Sequence, residues 1–491
     1  MNRIGFDNEK YLKIQSERIK ERIGHFDGKL YLEFGGKLFD DFHASRVLPG
    51  FQPDSKLRML LQLKNEAEVL MVINAEDIER NKKRGDLEIG YDEDVIRLIK
   101  MYRQKGLQVN SVVITRFAQT MAVENFIKRL EKHKTKVYRH YKIDGYPNNV
   151  AFITSDMGFG RDEFVETTKP LVIVTAPGPG SGKMATCLSQ LYNENKRGVK
   201  AGYAKFETFP VWNLPLKHPV NLAYEAATAD LNDVNMIDPF HLAAYGETTV
   251  NYNRDVEIFP VLNAIFSGIY GESPYKSPTD MGVNMVGYCI TDDDVCQEAS
   301  KQEIVRRYFK ACEGVFRETG SEKEIYKIEL LMKQAGINQE YRAVVPACRE
   351  RSKKEKLPAA AIELNDGTIV TGGATKLLGA LSAALLNSLK ILAGIPHEVN
   401  VISPSAIEPI QKLKIEYLGS KNPALHTDET LIALSMSAAT DENARKAMEQ
   451  LPKLRGCQAH TSEILAHVDV KEAGKLGLGL TSEPVSEKIW K

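Results

Sequence analysis

The chain has 491 residues, with 65 Lys+Arg against 65 Asp+Glu, so its formal net charge is zero. At roughly 100–200 residues per domain this length predicts about three domains, with cores large enough to need no covalent staples. The 43% apolar and 26% charged shares are those of an ordinary globular chain, and neutrality speaks against a general nucleic-acid binder or a protein held to acidic membranes.

The N-terminus, MNRIGFDNEKYLKIQ, has no apolar core of a secretory signal. Residues 8–23 place Leu12, Ile19 and Ile23 near one helical face, with Asp7 as N-cap. LYLEF (30–34) reads as a short strand before Gly35-Gly36. An alternation follows: strand 68–74, helix 92–106, strand 109–117, helix 120–134 and strand 135–141. Strands alternating with helices predict a parallel sheet with crossover helices. LVIVTA (171–176) and GYAKFETF (202–209) extend the set, VNMID (234–238) is a further short strand, and 256–271 is helical.

Residues 300–337 read as charged helices. LPAAAIELNDGTIVTGG (357–373) has two strand-like runs around Asn365-Asp366-Gly367, a hairpin signal. A helix at 375–393, VNVIS (399–403), a helix at 405–417, ETLIALSM (429–436), a helix at 441–450 and HTSEILAHVD (460–469) complete a second α/β unit, in which the short apolar runs are taken as strands. The apolar stretch Leu377–Ile395 carries Asn387 and Lys390, and is read as a buried helix, not a membrane span. The expected class is α/β, mostly parallel sheets with crossover helices, a helical connector and a separate C-terminal α/β subdomain. The expected organisation is an N-terminal α/β region 1–165, a phosphate-loop region 166–299, either separate or one domain with it, a connector 300–340 and the subdomain 341–491.

The most informative segment is LVIVTAPGPGSGKMATCLSQLY, Leu171 to Tyr192. A buried strand runs into a Gly/Pro loop and then a helix. Glycines let backbone N–H groups converge, the helix N-terminus favours an anion, and a lysine adds mobile charge. The loop resembles the Walker A pattern GxxxxGK[ST], with Gly178, Gly180, Ser181, Gly182, Lys183 and Thr186 as phosphate-binding candidates. Pro177 stands at the first glycine and Met184 where the magnesium-binding hydroxyl belongs. Asp238 at the end of VNMID is the metal-binding candidate, with Glu207 of the Lys205-Phe206-Glu207 stretch as a second; an ordinary turn aspartate is the plainer alternative for Asp238.

EFGGKLFDDFHASRVLPGF (33–51) is dense in usable groups: Glu33, Lys37, Asp40, Asp41, His43 and Arg46. If 38–47 is a helix, Asp40, His43 and Arg46 share a face. His43 and Arg46 join Lys183 as catalytic candidates. Lys37 and Asp41, with Lys276, Thr279, Asp280 and Asn284 of YKSPTDMGVNMVG (275–287), are substrate candidates. Thr371-Gly372-Gly373-Ala374-Thr375-Lys376 before a helix is either a second anion site or simple capping. Cys457 and His460, with His467 and Asp469 beyond, are candidate metal ligands, but they hold only one CxxH, and a packed cysteine with satisfied histidines is the plainer reading; the six cysteines form no CxxC pair, so reduced thiols in the cytoplasm are expected.

EFGGKLFDDFHASRVLPGF, ETTKPLVIVTAPGPGSGKMATCLSQLY, YKSPTDMGVN and LNDGTIVTGGATKLLGALSAALLNSLK together resemble the bacterial domain-of-unknown-function 1846 family, also called uncharacterised protein family 0371. The resemblance spans nearly the whole chain. It implies a cytoplasmic bacterial protein with a large N-terminal α/β part and a separate C-terminal subdomain, and it transfers no catalytic residue. From the residues, the leading expectation is an ATP- or other nucleotide-dependent kinase or ligase of a small anionic metabolite, with Mg²⁺ and ATP as cofactors. The alternatives are an enzyme binding a phosphorylated sugar or cofactor without nucleotide turnover, and a non-catalytic nucleotide sensor or oligomeric scaffold. No nucleic-acid or membrane partner is expected, and a homo-oligomer is compatible with the sequence.

Overall fold

The computed structural model describes residues 3–35, 41–84 and 89–485. The chain forms two compact units: one of Ile4–Tyr224 and Asp233–Gln297, the other of Arg3, Glu225–Asn232 and the chain from Glu298 onward.

The first unit holds strands β1 (Leu30–Phe34), β2 (Ala67–Asn74), β3 (Gln108–Thr115), β4 (Lys136–Arg139), β5 (Leu171–Thr175), β6 (Gly202–Phe206), β7 (Asn235–Ile237), β8 (Val250–Tyr252) and β9 (Gly282–Val283). Seven of them form one sheet in the order β4-β3-β2-β5-β1-β6-β9, and all its pairings are parallel. β1, β2 and β5 are buried along their whole length, as strands covered on both faces must be. That burial explains why these strands are mostly apolar, with Glu33 and Glu68 as buried exceptions. The crossover helix Met121–Lys132 buries Val123, Phe126, Ile127 and Leu130, the i, i+3, i+4, i+7 stripe of a helix lying on a sheet.

The chain builds outward from β1 to β4, returns to insert β5 beside β1, and then continues to β6 and β9 on the other side. Ligands of open parallel sheets bind outside the carboxyl ends of strands where the order reverses. Here that point is the end of β5 and β1, where the glycine-rich loop lies. β7 is not in this sheet; it pairs antiparallel with β8 in a separate two-stranded ribbon.

The second unit has strands β10 (Ala359–Glu363), β11 (Ile369–Gly373), β12 (Gln458–Thr461) and β13 (Gly479–Ser482), in the order β11-β10-β12-β13. The expected hairpin is β10–β11. Gly372 has an ordinary backbone conformation, but a Cβ there would lie 2.1 Å from the backbone nitrogen of Ala384. That glycine therefore lets the helix Ala380–Leu392 lie directly on the sheet, where it buries Leu381, Leu385 and Leu389. The charged region expected as a connector is the helices Asp293–Phe316 and Glu322–Gln334.

Three local expectations are corrected. ETLIALSM belongs to the helix Thr427–Ser437, which buries Thr427, Thr430, Ala433 and Leu434; a short apolar run does not by itself separate a strand from a buried helix. VNVIS forms no strand. The helix expected from 375 begins at Ala380, because the Thr375 hydroxyl accepts the N–H groups of Leu377 and Leu378 and closes a turn first. Among the described residues no helix is long and apolar enough to cross a membrane.

Candidate functional site

The glycine-rich loop leaves β5 and enters the 14-residue helix Lys183–Lys196. Gly180 and Gly182 have φ of +77° and +90°, the left-handed region that favours glycine. The second is also crowded: a Cβ on Gly182 would lie 2.9 Å from Thr115 Cγ2. Thr115, at the end of β3, donates its hydroxyl to the Ser181 carbonyl at 2.7 Å, and Ser181 donates its own to the Gly178 carbonyl at 2.8 Å. Gly178 lies against Tyr91, whose hydroxyl stands 2.2 Å from where a Cβ would be. The loop is thus fixed from both sides, while the helix it opens has no side-chain cap. Its first N–H groups and positive dipole end are left for another acceptor.

Lys183 is the first residue of that helix. Its Nζ lies 4.0 Å from Oε1 of Glu33, and both side chains are largely buried. Glu33 stands on β1, the strand beside β5, and its other oxygen accepts the Tyr203 hydroxyl at 2.8 Å. Burial pushes the Tyr203 phenol up, and the Glu33 charge adds to the push. The loop lysine therefore meets a carboxylate from the adjacent strand, Glu33, which the sequence offered among the usable groups of 33–51 without a specific role. The signal for it was present: Glu33 is an acid closing an apolar strand.

Glu33 is the register partner of Lys205 on β6, so the two side chains share one face of the sheet. Lys205 bonds Asp255 and the Tyr252 hydroxyl, and lies 3.1 Å from Glu207 Oε1. Trp212 Nε1 donates to Glu207 Oε2 at 3.2 Å. Burial pushes the Glu207 carboxyl up; Lys205 opposes this and the neighbouring Asp255 charge adds to it. Burial pulls the Lys205 ammonium down, but Asp255, Tyr252 and Glu207 together outweigh that pull and push it up, so the lysine stays protonated. One lysine therefore holds two carboxyl groups, one of which retains its proton more readily than a free glutamate.

Two further candidates reach this rim. Asn284, just after β9, donates to the Thr208 and Pro210 carbonyls at 3.3 and 2.9 Å, clamping the segment after Glu207. The His43 ring packs edge-on to Phe209 at 5.1 Å. Asp41 caps the short helix Phe42–Val47 and pairs with the buried Lys56 at 2.7 Å, and Lys56 lies over the Phe206 ring. Arg46 sits half-buried in the last turn of the same helix. Lys37 and Asp40 lie outside the described residues.

Asp238, Lys276, Thr279 and Asp280 form a different cluster, around the β7–β8 ribbon. Asp238 is fully buried and accepts four bonds: from the N–H groups of Phe240 and His241 as N-cap, and from the N–H and hydroxyl of Thr279, the last at 2.6 Å. Its position after a short strand is that of the N-cap of the helix Pro239–Tyr245. Asp280 accepts the Tyr245 hydroxyl and the Lys276 N–H, and the Lys276 ammonium lies over the Tyr245 ring. Thr186 is fully buried, and its hydroxyl has no hydrogen-bond partner among the described residues.

In the second unit, His460 is buried against Thr481 and Glu483, and Asp469 pairs with His426. No group of three or more His, Cys, Asp or Glu suited to a metal ion occurs among the described residues.

Two family models match the chain: Domain of unknown function DUF1846, N-terminal, over residues 4–336, and Domain of unknown function DUF1846, C-terminal, over 340–489. The UPF0371 protein of Corynebacterium aurimucosum is 58% identical over 483 residues, covering 98% of this chain and 97% of that protein. That of Corynebacterium diphtheriae is 58% identical over 489 residues, 99% and 98% of the two chains. That of Streptococcus thermophilus is 53% identical over 484 residues, with 99% and 98% covered.

Proposed function

The chain belongs to the DUF1846 (UPF0371) family, and from the geometry of its first unit we propose that it is an enzyme that holds the phosphate of a nucleotide on residues 177–183 and transfers a phosphoryl group to a small metabolite. The observation that carries this reading is the uncapped N-terminus of the helix Lys183–Lys196, with Lys183 facing Glu33 from the neighbouring strand. Backbone N–H groups and the lysine supply fixed positive charge where charge develops on the transferred group. Glu33 is the acid placed to share a metal with those phosphates.

The donor set fits Mg²⁺ only in part. Magnesium commonly takes one or two carboxylates, with water and phosphate oxygens completing the shell. Glu33 meets that need, but Met184 stands where the usual hydroxyl ligand belongs. When bound, the ion neutralises phosphate charge. The proton released by an attacking substrate hydroxyl passes to the carboxyl pair Glu207–Asp255, which Lys205 holds in place.

A second reading, a phosphorylated sugar or cofactor bound without nucleotide turnover, is favoured by Met184 and by Ser181, whose hydroxyl is turned inward to the Gly178 carbonyl. Calorimetry with Mg-ATP, Mg-GTP and glucose 6-phosphate separates the two. Nucleotide binding lost in Lys183→Ala supports phosphoryl transfer. Sugar-phosphate binding without nucleotide binding decides for the second reading, and heat from none of them removes both.

A further inference from the structure

We propose that Tyr203 is a positioning residue of the glycine-rich-loop site: its phenol keeps the Glu33 carboxylate off Lys183, so that the lysine stays open to an anionic oxygen of the ligand. This role deepens the phosphate-binding reading of the loop and rests on it for the ligand, while the separation of Glu33 from Lys183 is measurable without one.

Lys183 carries donors that nothing in the protein uses. Its side chain is only 14% exposed, yet its ammonium makes no hydrogen bond among the described residues, and its one ion pair there, with Glu33, stands at 4.0 Å. A charged N–H in contact with a carboxylate normally lies at about 2.7–2.9 Å. A largely buried ammonium held short of contact has lost water without gaining a partner, which is unfavourable unless a ligand supplies the acceptor. Glu33 is near enough to close the gap, so another group must hold it back.

That group is Tyr203. Its hydroxyl donates to Glu33 Oε2 at 2.8 Å, the one hydrogen bond of this carboxylate among the described residues. Burial, with the Glu33 charge adding, pushes the phenol well up, so it keeps its proton and remains a donor. Tyr203 is itself fixed. Its backbone N–H donates to the Tyr275 hydroxyl at 2.7 Å, and that hydroxyl donates to the Tyr203 carbonyl at 2.6 Å. The register explains the geometry. Tyr31 and Glu33 on β1 are the partners of Tyr203 and Lys205 on β6, so the four side chains share one face and Glu33 is a diagonal neighbour of Tyr203. Lys205, directly opposite Glu33, is engaged by Asp255 and Glu207 and does not draw Glu33 away. Glu33 therefore lies between the phenol, which holds it, and Lys183, which takes it when the phenol is lost.

The test uses the full chain, crystallography and calorimetry with metal-free inorganic pyrophosphate. In ligand-free crystals of Tyr203→Phe the Glu33–Lys183 separation is expected to close from 4.0 Å to hydrogen-bond contact. Pyrophosphate affinity of Tyr203→Phe is expected to fall about tenfold, the worth of one hydrogen bond to a charged group. In a Glu33→Gln background the same change is expected to leave pyrophosphate affinity unaltered, because no carboxylate remains to fall on the lysine. An equal loss in both backgrounds would make Tyr203 a packing residue and overturn the proposal, as would a separation that stays at 4.0 Å in Tyr203→Phe. Wild-type crystals soaked in pyrophosphate give a measurement that does not depend on the folding of a variant: Glu33 is expected to stay on the Tyr203 hydroxyl, and a carboxylate that leaves the phenol overturns the proposal. No pyrophosphate binding by the wild type removes the phosphate reading of the loop, and the ligand-free separation then decides the role of Tyr203 by itself.

Discussion

Lys183 and Glu33, 150 residues apart in sequence, face each other at 4.0 Å across the ends of adjacent parallel strands. The carboxylate occupies the charge that an incoming phosphate would otherwise take. A ligand must therefore displace Glu33 from the lysine or share it through a cation. These two routes have opposite signs in one variant. Glu33→Gln is expected to tighten metal-free phosphate binding by about tenfold, because the competing charge is gone. The same change is expected to weaken binding of Mg-nucleotide by a similar factor. Tyr203 can still donate to the amide oxygen, so the fold is retained. Calorimetry with and without Mg²⁺ reads both, and loss in both arms would show that Glu33 only positions the lysine.

The two left-handed glycines of the loop separate backbone strain from crowding. Gly180 has open space around a Cβ, so Gly180→Ala carries only the left-handed penalty, about 1–2 kcal/mol. Gly182→Ala adds contact with Thr115 at 2.9 Å and is expected to cost more, about 2–4 kcal/mol, with loss of the Thr115–Ser181 bond. Urea unfolding followed by Trp212 fluorescence, in a Trp490→Phe background, measures the first unit alone. Equal losses from the two substitutions would count against a loop held by Thr115.

Asp238 gives a contrasting case. Its carboxylate is fully buried and accepts four bonds from the helix cap and Thr279, so its removal should be a stability effect. Asp238→Ala leaves buried N–H groups of the helix Pro239–Tyr245 and of Thr279 unmet, at about 2–4 kcal/mol. Asp238→Asn keeps one accepting oxygen and should cost less. Ligand affinity of the folded variant should be unchanged; a fall in nucleotide affinity without a fall in stability would return Asp238 to the site.

What was legible in the chain was what is local. The alternation of apolar strands and helices predicts the parallel sheet, and Asn365-Asp366-Gly367 predicts the β10–β11 hairpin. The loop 177–183 is recognisable because strand, glycines and lysine are contiguous. The partners were not legible. Glu33 meets Lys183 only because β5 inserts beside β1, an order no local pattern contains. Asp255 meets Lys205 because the helix Asn253–Tyr270 brings it to the end of β6. Asp238 reads two ways in sequence, because an acid after a short apolar strand is equally the signature of a helix cap; here it caps the helix Pro239–Tyr245, and β7 lies outside the main sheet.

The Glu207 carboxyl supplies a pH signature with a built-in reporter. Burial and Asp255 raise it above its ordinary value of 4.5 despite Lys205. A carboxyl raised in the folded state keeps its proton where the unfolded chain has lost it. The folded state then binds more protons, and stability falls as pH rises from about 4.5 through the raised value. Below that window both states are protonated and the term is absent. Glu207→Gln is expected to flatten this part of the stability profile. Trp212, whose indole donates to Glu207 at 3.2 Å, should change its fluorescence over the same window in the native protein and not in the variant. Stability of the wild-type first unit that rises across the window, or a Trp212 titration that persists in Glu207→Gln, would assign the proton elsewhere in the Lys205 cluster.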